Sequence, residues 1–105
     1  MKVTVNPGPC KLTTVIIAEM NDDVEITLSI QSNCGAYKKM NEELSGMSID
    51  AYSEIFTPFG TSEIAQIYKK YVKHATCPVL SAILKAIEAE ANLALPTNVT
   101  FEFEK

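Results

Sequence analysis

Three cysteines, Cys10, Cys34 and Cys77, are the residues of this chain with the most distinctive chemistry. Cysteine thiolates bind zinc and iron, and they also attack disulfides. A lone histidine, His74, precedes the last cysteine by three residues. Three thiolates and one imidazole match the Cys₃His ligand set of tetrahedral zinc, and three thiolates alone hold an iron–sulfur cluster with one open position. The residue types predict a thiolate site formed by the three cysteines, with His74 as the candidate fourth ligand.

The spacing of the cysteines leaves two other interpretations open. They lie far apart and form no Cys-x-x-Cys pair, the compact pattern of many zinc sites. Free cysteine is also a common core residue, so the chain can be a metal-free interaction or small-molecule-binding domain. In the third interpretation it is a thiol–disulfide redox protein, in which Cys34 or Cys77 attacks and Cys10 resolves. The chain lacks a nucleotide-binding glycine loop and a serine nucleophile elbow, so the sequence favours binding over substrate turnover.

The first third of the chain has the residue pattern of β-strands. Val3 and Val5 alternate with polar residues before a turn at 6–9. Residues 12–20 are rich in β-branched side chains, which favour strands. Residues 24–31 alternate strictly between apolar and polar positions, as a half-buried strand does. The pattern predicts three consecutive strands.

Most of the remaining chain has apolar residues at helical spacing. It predicts, in order, a helix from a cap at Ser32 or Asn33 to Leu44, a short helix at 50–56, a helix at 62–74 and a helix that starts at Cys77-Pro78. Residues 99–103 alternate between apolar and polar side chains again. We therefore predict a last strand at 99–103.

Strands grouped before helices indicate an α+β fold. We predict a single domain over residues 1–105, with a four-stranded, mainly antiparallel sheet and helices packed on one face, in the order βββααα(α)β. If the first three strands form a meander, Cys10 follows the first strand and Cys34 follows the third, so both lie at one edge of the sheet. The pattern fixes neither the place of the last strand nor whether Cys77 joins the other two cysteines.

The local setting of the cysteines supports a thiolate site. Cys34 and Cys77 lie at or near predicted helix starts, where free N–H groups and the helix dipole favour negative charge. Gly35 beside Cys34 leaves room for a bulky inorganic group. His74 has an alternative role as a C-terminal helix cap, which the dipole also favours.

Composition bounds the partners of the protein. The net charge is −4 and the longest basic runs are pairs of lysines, which argues against nucleic-acid binding. No apolar run reaches the roughly 20 residues that a membrane span requires, and the first residues lack the apolar core of a signal peptide. An odd number of thiols without an export signal predicts a cytoplasmic protein. The partner is an unidentified protein, and an uncovered sheet edge or face would favour a homodimer.

Four segments carry a family resemblance: NPGPC at 6–10, SNCG at 32–35, HATCPV at 74–79 and LALP at 93–96. Together they resemble a group of small uncharacterised proteins from anaerobic archaea and bacteria over nearly the whole chain. The resemblance implies an anaerobic source, which suits an oxygen-sensitive iron–sulfur site. It implies no particular metal and assigns no functional residue.

Overall fold

The computed structural model describes all residues from Met1 to Lys105. It contains one four-stranded sheet whose strands are β1 (Lys2–Val5), β2 (Thr14–Met20), β3 (Glu25–Ser32) and β4 (Ile49–Asp50). The strands lie in the order β1-β2-β3-β4, and every neighbouring pair is antiparallel. The helices are α1 (Gly35–Leu44), α2 (Ala51–Phe56), α3 (Glu63–Tyr71) and α4 (Val79–Glu90). The predicted α+β fold with a four-stranded antiparallel sheet is confirmed.

The apolar alternation of β3 decides which face of the sheet is covered. Ile26, Leu28 and Ile30 are buried, whereas Thr27 and Ser29 on the other face are partly exposed. This is the half-buried pattern of an antiparallel sheet with helices on one face. Helix α1 packs against β3, and α4 packs against β1 and β2.

The turn between β2 and β3 is stabilised by one carboxylate. Asp22 accepts hydrogen bonds from the backbone N–H groups of Val24 and Glu25, at 2.9 and 2.8 Å. These two backbone hydrogen bonds lower the pKa of Asp22. The short polar side chain replaces strand partners at the point where the chain reverses.

The fourth strand is not the one that the sequence pattern indicated. It is Ile49–Asp50, between α1 and α2, and it pairs with Ile26 and Glu25 of β3. Residues 99–103 form no strand within the chain, so the prediction of a strand there is wrong. Alternation shows that a segment can form a half-buried strand, but it does not say which sheet edge is within reach.

Helix α3 also ends earlier than predicted. Its last residue is Tyr71, and Val72 has extended backbone dihedral angles of −102° and 112°. His74 therefore lies in the loop between α3 and α4 and is not a helix cap. The longest helix, α4, has 12 residues, and no helix of the chain has the length and apolar composition for a bilayer crossing.

A side chain of α1 completes the hydrogen bonding of β3 beyond the short β4. The Oδ1 atom of Asn41 accepts a hydrogen bond from the backbone N–H of Ile30 at 2.8 Å. Strand β4 pairs only with Glu25 and Ile26, so it does not reach this N–H group. Asn41 thus replaces a strand neighbour and joins α1 to the sheet.

We expect Asn41→Ala to lower the free energy of unfolding by about 1–2 kcal/mol, because it leaves the N–H of Ile30 without an acceptor in a partly buried place. Urea denaturation measures this change. Asn41→Asp keeps an acceptor oxygen and should cost less, and Glu42→Ala, an exposed neighbour, should change stability by no more than about 0.5 kcal/mol. Equal stability of Asn41→Ala and the wild type would refute a stabilising role for this bond.

Candidate thiol site

The strand register places Cys10 and Cys34 at the same edge of the sheet, as the meander predicts. Val5 at the end of β1 pairs with Thr14, and Thr14 pairs with Ser32 at the end of β3. Cys10 lies in the loop between β1 and β2, and Cys34 follows β3. The Thr14 hydroxyl donates to the Ser32 hydroxyl at 2.9 Å, and Ser32 accepts from the N–H of Cys34 at 3.1 Å. Both cysteines therefore adjoin the closed end of the β1–β2–β3 meander.

Helix α4 brings Cys77 to this same end. At its far end, the carboxylate of Glu90 accepts a 3.0 Å hydrogen bond from the N–H of Met20, where β2 finishes. A helix of 12 residues is about 18 Å long. Helix α4 therefore spans most of the length of the strands and begins near their opposite end. The Sγ atom of Cys77 lies 2.7 Å from the hydroxyl oxygen of Tyr37, in the first turn of α1. All three cysteines thus share one end of the molecule, which the sequence pattern did not fix for Cys77.

Two buried tyrosines form a polar cluster with Cys77. The hydroxyl oxygens of Tyr37 and Tyr68 are 3.3 Å apart, and the Tyr68 hydroxyl donates to the backbone carbonyl of Cys77 at 3.4 Å. Burial, together with hydrogen bonds to Cys77 and Tyr68, raises the pKa of Tyr37 far above its ordinary value. Burial also raises the pKa of Tyr68, partly offset by its hydrogen bond with Tyr37. Both rings therefore keep their hydroxyl protons at neutral pH.

Sequence reasoning missed these tyrosines as site residues because both occupy apolar positions at helical spacing, which indicate a core role. Both are indeed buried, and their rings are 6.2 Å apart between centroids. A buried tyrosine, unlike phenylalanine, carries a hydroxyl that needs a hydrogen-bond partner. A tyrosine at a predicted buried helix position was therefore the available sign of a polar contact in the core. Which group the hydroxyl bonds depends on tertiary contacts.

The three thiols differ in exposure and are all free. Cys34 and Cys77 are half-buried and pack against the core, whereas Cys10 is exposed on its loop. Cys77 contacts the buried tyrosines directly, through its Sγ atom to Tyr37 and its backbone carbonyl to Tyr68.

The predicted fourth ligand, His74, is exposed and takes part in a local hydrogen bond. Its Nε2 atom lies 2.8 Å from the hydroxyl of Thr76, and its backbone carbonyl accepts from the N–H of Cys77 at 3.2 Å. No group of three or more histidine, cysteine, aspartate or glutamate side chains is arranged to hold a metal ion. The geometry thus does not support a zinc or iron–sulfur site, and the assignment of Cys10, Cys34, Cys77 and His74 as ligands stays a prediction.

The helices that begin at the cysteine end differ from the other two helices in their capping. Asp50 caps α2 by accepting from the N–H of Ser53 at 3.0 Å, and Ser62 caps α3 by accepting from the N–H of Ala65 at 3.3 Å. Helices α1 and α4, which begin at the cysteine end, have no side-chain cap and no acidic residue in the first turn. Their free N–H groups and dipoles leave a positive potential that suits thiolates or another anionic group.

Fold and site together define a small α+β protein with three free thiols at one end of an antiparallel sheet. The chain belongs to a family of unknown function, DUF6951, whose model matches residues 1–103. The match confirms that an uncharacterised family covers nearly the whole chain. Neither a curated protein nor a solved structure shows significant similarity to it.

Proposed function

We propose that this protein binds a thiophilic metal ion or an iron–sulfur cluster through Cys10, Cys34 and Cys77, and that it serves in cluster handling, electron transfer or metal delivery. The observation that supports the proposal is the position of the three thiols: they come from three separate segments and lie toward the same end of the sheet. Two uncapped helix N-termini at the same end favour the negative charge that metal–thiolate groups carry.

The proposal requires the loop that carries Cys10 to move toward the other two thiols. Cys34 and Cys77 are held by α1 and by contact with Tyr37, whereas Cys10 is exposed between two strands. Gly8 and Lys11 have positive φ angles of 104° and 58°, so the loop is a tight turn around Cys10. Closure of this loop onto the other two thiols would complete the ligand set, and metal binding would then order the loop.

The setting proposed for this activity is a reducing cytoplasm in an anaerobic organism, with a protein as the donor or acceptor of the metal. Three free thiols, an odd number, suit a reducing compartment. An exposed cluster ligand such as Cys10 also suits transfer to a partner, because an incoming thiol can reach the metal from solvent.

Anaerobic metal titration tests the proposal. We expect the protein to bind one equivalent of Co²⁺ with thiolate charge-transfer absorption, to exchange it for Zn²⁺, or to gain a cluster spectrum on reconstitution with iron and sulfide. Each of Cys10→Ser, Cys34→Ser and Cys77→Ser should weaken binding by at least the roughly 10–100-fold that loss of a metal's outer partner costs. His74→Ala should weaken metal binding if His74 is the fourth ligand, and should leave the affinity unchanged if the fourth position is open.

The outcomes of the titration separate the interpretations. Retained affinity in Cys10→Ser would remove that residue from the site, and absence of any metal or cluster uptake would overturn the proposal. Thr13→Ala is the matched control, because Thr13 is exposed on the same loop as Cys10 and carries no thiol. Its metal affinity should equal that of the wild type.

A thiol redox function is the second candidate, favoured by the three free thiols toward one end of the sheet. In such a reaction, one thiolate attacks a substrate disulfide and displaces the first substrate thiolate. The second cysteine then attacks the mixed disulfide and releases the second substrate thiol, so that two electrons pass to the substrate and the protein is oxidised to a disulfide. Incubation in glutathione redox buffers followed by peptide mapping should then find a disulfide between Cys10 and either Cys34 or Cys77, and the absence of both under oxidising conditions would exclude this function.

A further inference from the structure

The C-terminal arm, defined here as residues 97–105, has the sequence of a half-buried strand but buries nothing. Val99, Phe101 and Phe103 alternate with Thr100, Glu102 and Glu104. The side chains of Phe101 and Phe103 are 77% and 96% exposed, and no backbone hydrogen bond joins the arm to the sheet. Large apolar groups exposed together in this way mark an interaction surface.

The sheet has a free edge that can receive such a strand. Strand β1 is the outermost strand, and it pairs only with β2. Met1 exchanges backbone hydrogen bonds with Ala18, so the alternation of an antiparallel ladder turns the N–H and C=O groups of Lys2 and Thr4 away from β2. These four backbone groups face outward along the edge, where a further strand would pair with them.

The side chains on this edge match those of the arm. Val3 and Val5 face the helix-covered side of the sheet, whereas Lys2 and Thr4 are exposed on the open side. A strand paired with β1 that turned its phenylalanines toward the helices would place Glu102 and Glu104 on the open side, beside the charge of Lys2. In this one register, the two-residue period of the arm places its apolar side chains on the helix-covered face and its carboxylates on the open face.

We propose that the C-terminal arm pairs with the β1 edge of a second copy of this chain, so that two chains exchange arms in a two-fold symmetric dimer. Within one chain the arm leaves its own β1 edge open, although α4 ends next to β1 at Glu90. A two-fold exchange fills both edges and buries both arms with a single symmetry operation. Each phenylalanine buries about 150–250 Å². The four phenylalanines of two arms therefore supply most of the roughly 1,000 Å² that a specific interface needs.

The mass of the full chain in solution, measured by light scattering or sedimentation, tests this dimer. We expect twice the 11.5 kDa chain mass, and a return to 11.5 kDa for Phe101→Ser/Phe103→Ser. These two residues make no core contact, so the circular dichroism spectrum should not change. The matched control is Phe56→Ser/Phe59→Ser, which removes two phenylalanines that are 71% and 73% exposed elsewhere and should leave the dimer intact.

A complementation experiment distinguishes exchange from docking within one chain. Thr4→Pro removes the outward N–H of β1 without affecting the ladder to β2, which blocks the edge and keeps the arm. Phe101→Ser/Phe103→Ser blocks the arm and keeps the edge. Each variant alone should be monomeric, and an equimolar mixture should form a heterodimer through the one intact arm and the one intact edge.

Three results would overturn the proposal. The first is a wild-type chain that remains monomeric at roughly 1 mM. The second is a dimer that survives Phe101→Ser/Phe103→Ser, and its dissociation in Phe56→Ser/Phe59→Ser would assign the interface to the end of α2 and the loop after it. The third is a Thr4→Pro variant that remains dimeric, because its β1 edge can no longer receive the arm.

Discussion

An Ile83→Ala variant is expected to lose about 2–5 kcal/mol of unfolding free energy, the usual cost of truncating a buried isoleucine. Ile83 is fully buried near the middle of α4, the helix that packs against β1, β2 and α2. Removal of its side chain leaves a cavity between the sheet and the helical layer, where relaxation is limited by close packing. Domains of this size have a total stability of about 5–15 kcal/mol, so the loss is a large fraction of it.

Urea denaturation at neutral pH measures this effect as a lower midpoint with an unchanged slope. Ser81→Ala is the control, since Ser81 is exposed on the same helix and its replacement should shift stability by no more than about 0.5 kcal/mol. Leu84→Ala, at a half-buried position, should fall between the two. An Ile83→Ala variant as stable as Ser81→Ala would show that α4 is not packed on the sheet in solution.

The second large effect is expected for Glu54→Ala, which should lose about 1.5–3 kcal/mol of unfolding free energy. Glu54 is a buried ionisable residue, with only 4% of its surface exposed. Its carboxyl accepts a hydrogen bond from the N–H of Ile64 at 3.0 Å, in the first turn of α3, and also interacts with Ser62. Alanine leaves that buried N–H without a partner and opens the contact between α2 and the start of α3.

Glu54→Gln separates the hydrogen bond from the charge. Glutamine keeps an oxygen acceptor for Ile64, so we expect a loss of less than about 1 kcal/mol at neutral pH. If Glu54→Gln and Glu54→Ala are equally unstable by urea denaturation, the carboxyl oxygen is not the acceptor that stabilises α3.

The wild type and Glu54→Gln should also differ in how their stability depends on pH. Burial raises the pKa of Glu54 above its ordinary value of 4.5, although the hydrogen bonds from Ile64 and Ser62 oppose the shift. The folded protein therefore holds this proton more tightly than the unfolded chain, and stability is lost as the pH rises from about 4.5 through the folded pKa. The stability of Glu54→Gln relative to the wild type should increase over this range, and a relative stability that decreases instead would mean that the ionised carboxylate is favoured in the fold.

Periodicity in the sequence was sufficient to predict most of the elements. The alternation at 24–31 corresponds to β3, and the buried residues Tyr37, Met40 and Leu44 lie on one face of α1, as helical spacing requires. These predictions succeed because a strand repeats every two residues and a helix every 3.6, so burial on one face leaves a direct trace in the sequence. The failure at 99–103 has the same basis, since period alone does not distinguish a strand that pairs within the chain from one without a partner there.

The candidate site was predicted only in part. The meander placed Cys10 and Cys34 at one edge from strand order alone, because two reversals of direction return the chain to the same side. Asn41 and Glu54 were not predicted, since each bonds a backbone N–H group on another element, and nothing in their local sequence identifies that group.

The sequence by itself determined the first three strands, the helices, the covered face of the sheet and the shared edge of Cys10 and Cys34, because these follow from local periodicity and chain reversal. Only the tertiary structure decided that Cys77 joins that edge against Tyr37, that β4 is Ile49–Asp50 and that the C-terminal arm has no place in its own sheet. Each of these depends on contacts between residues far apart in the chain. Such contacts are selected by the packing of the whole core and not by any local pattern.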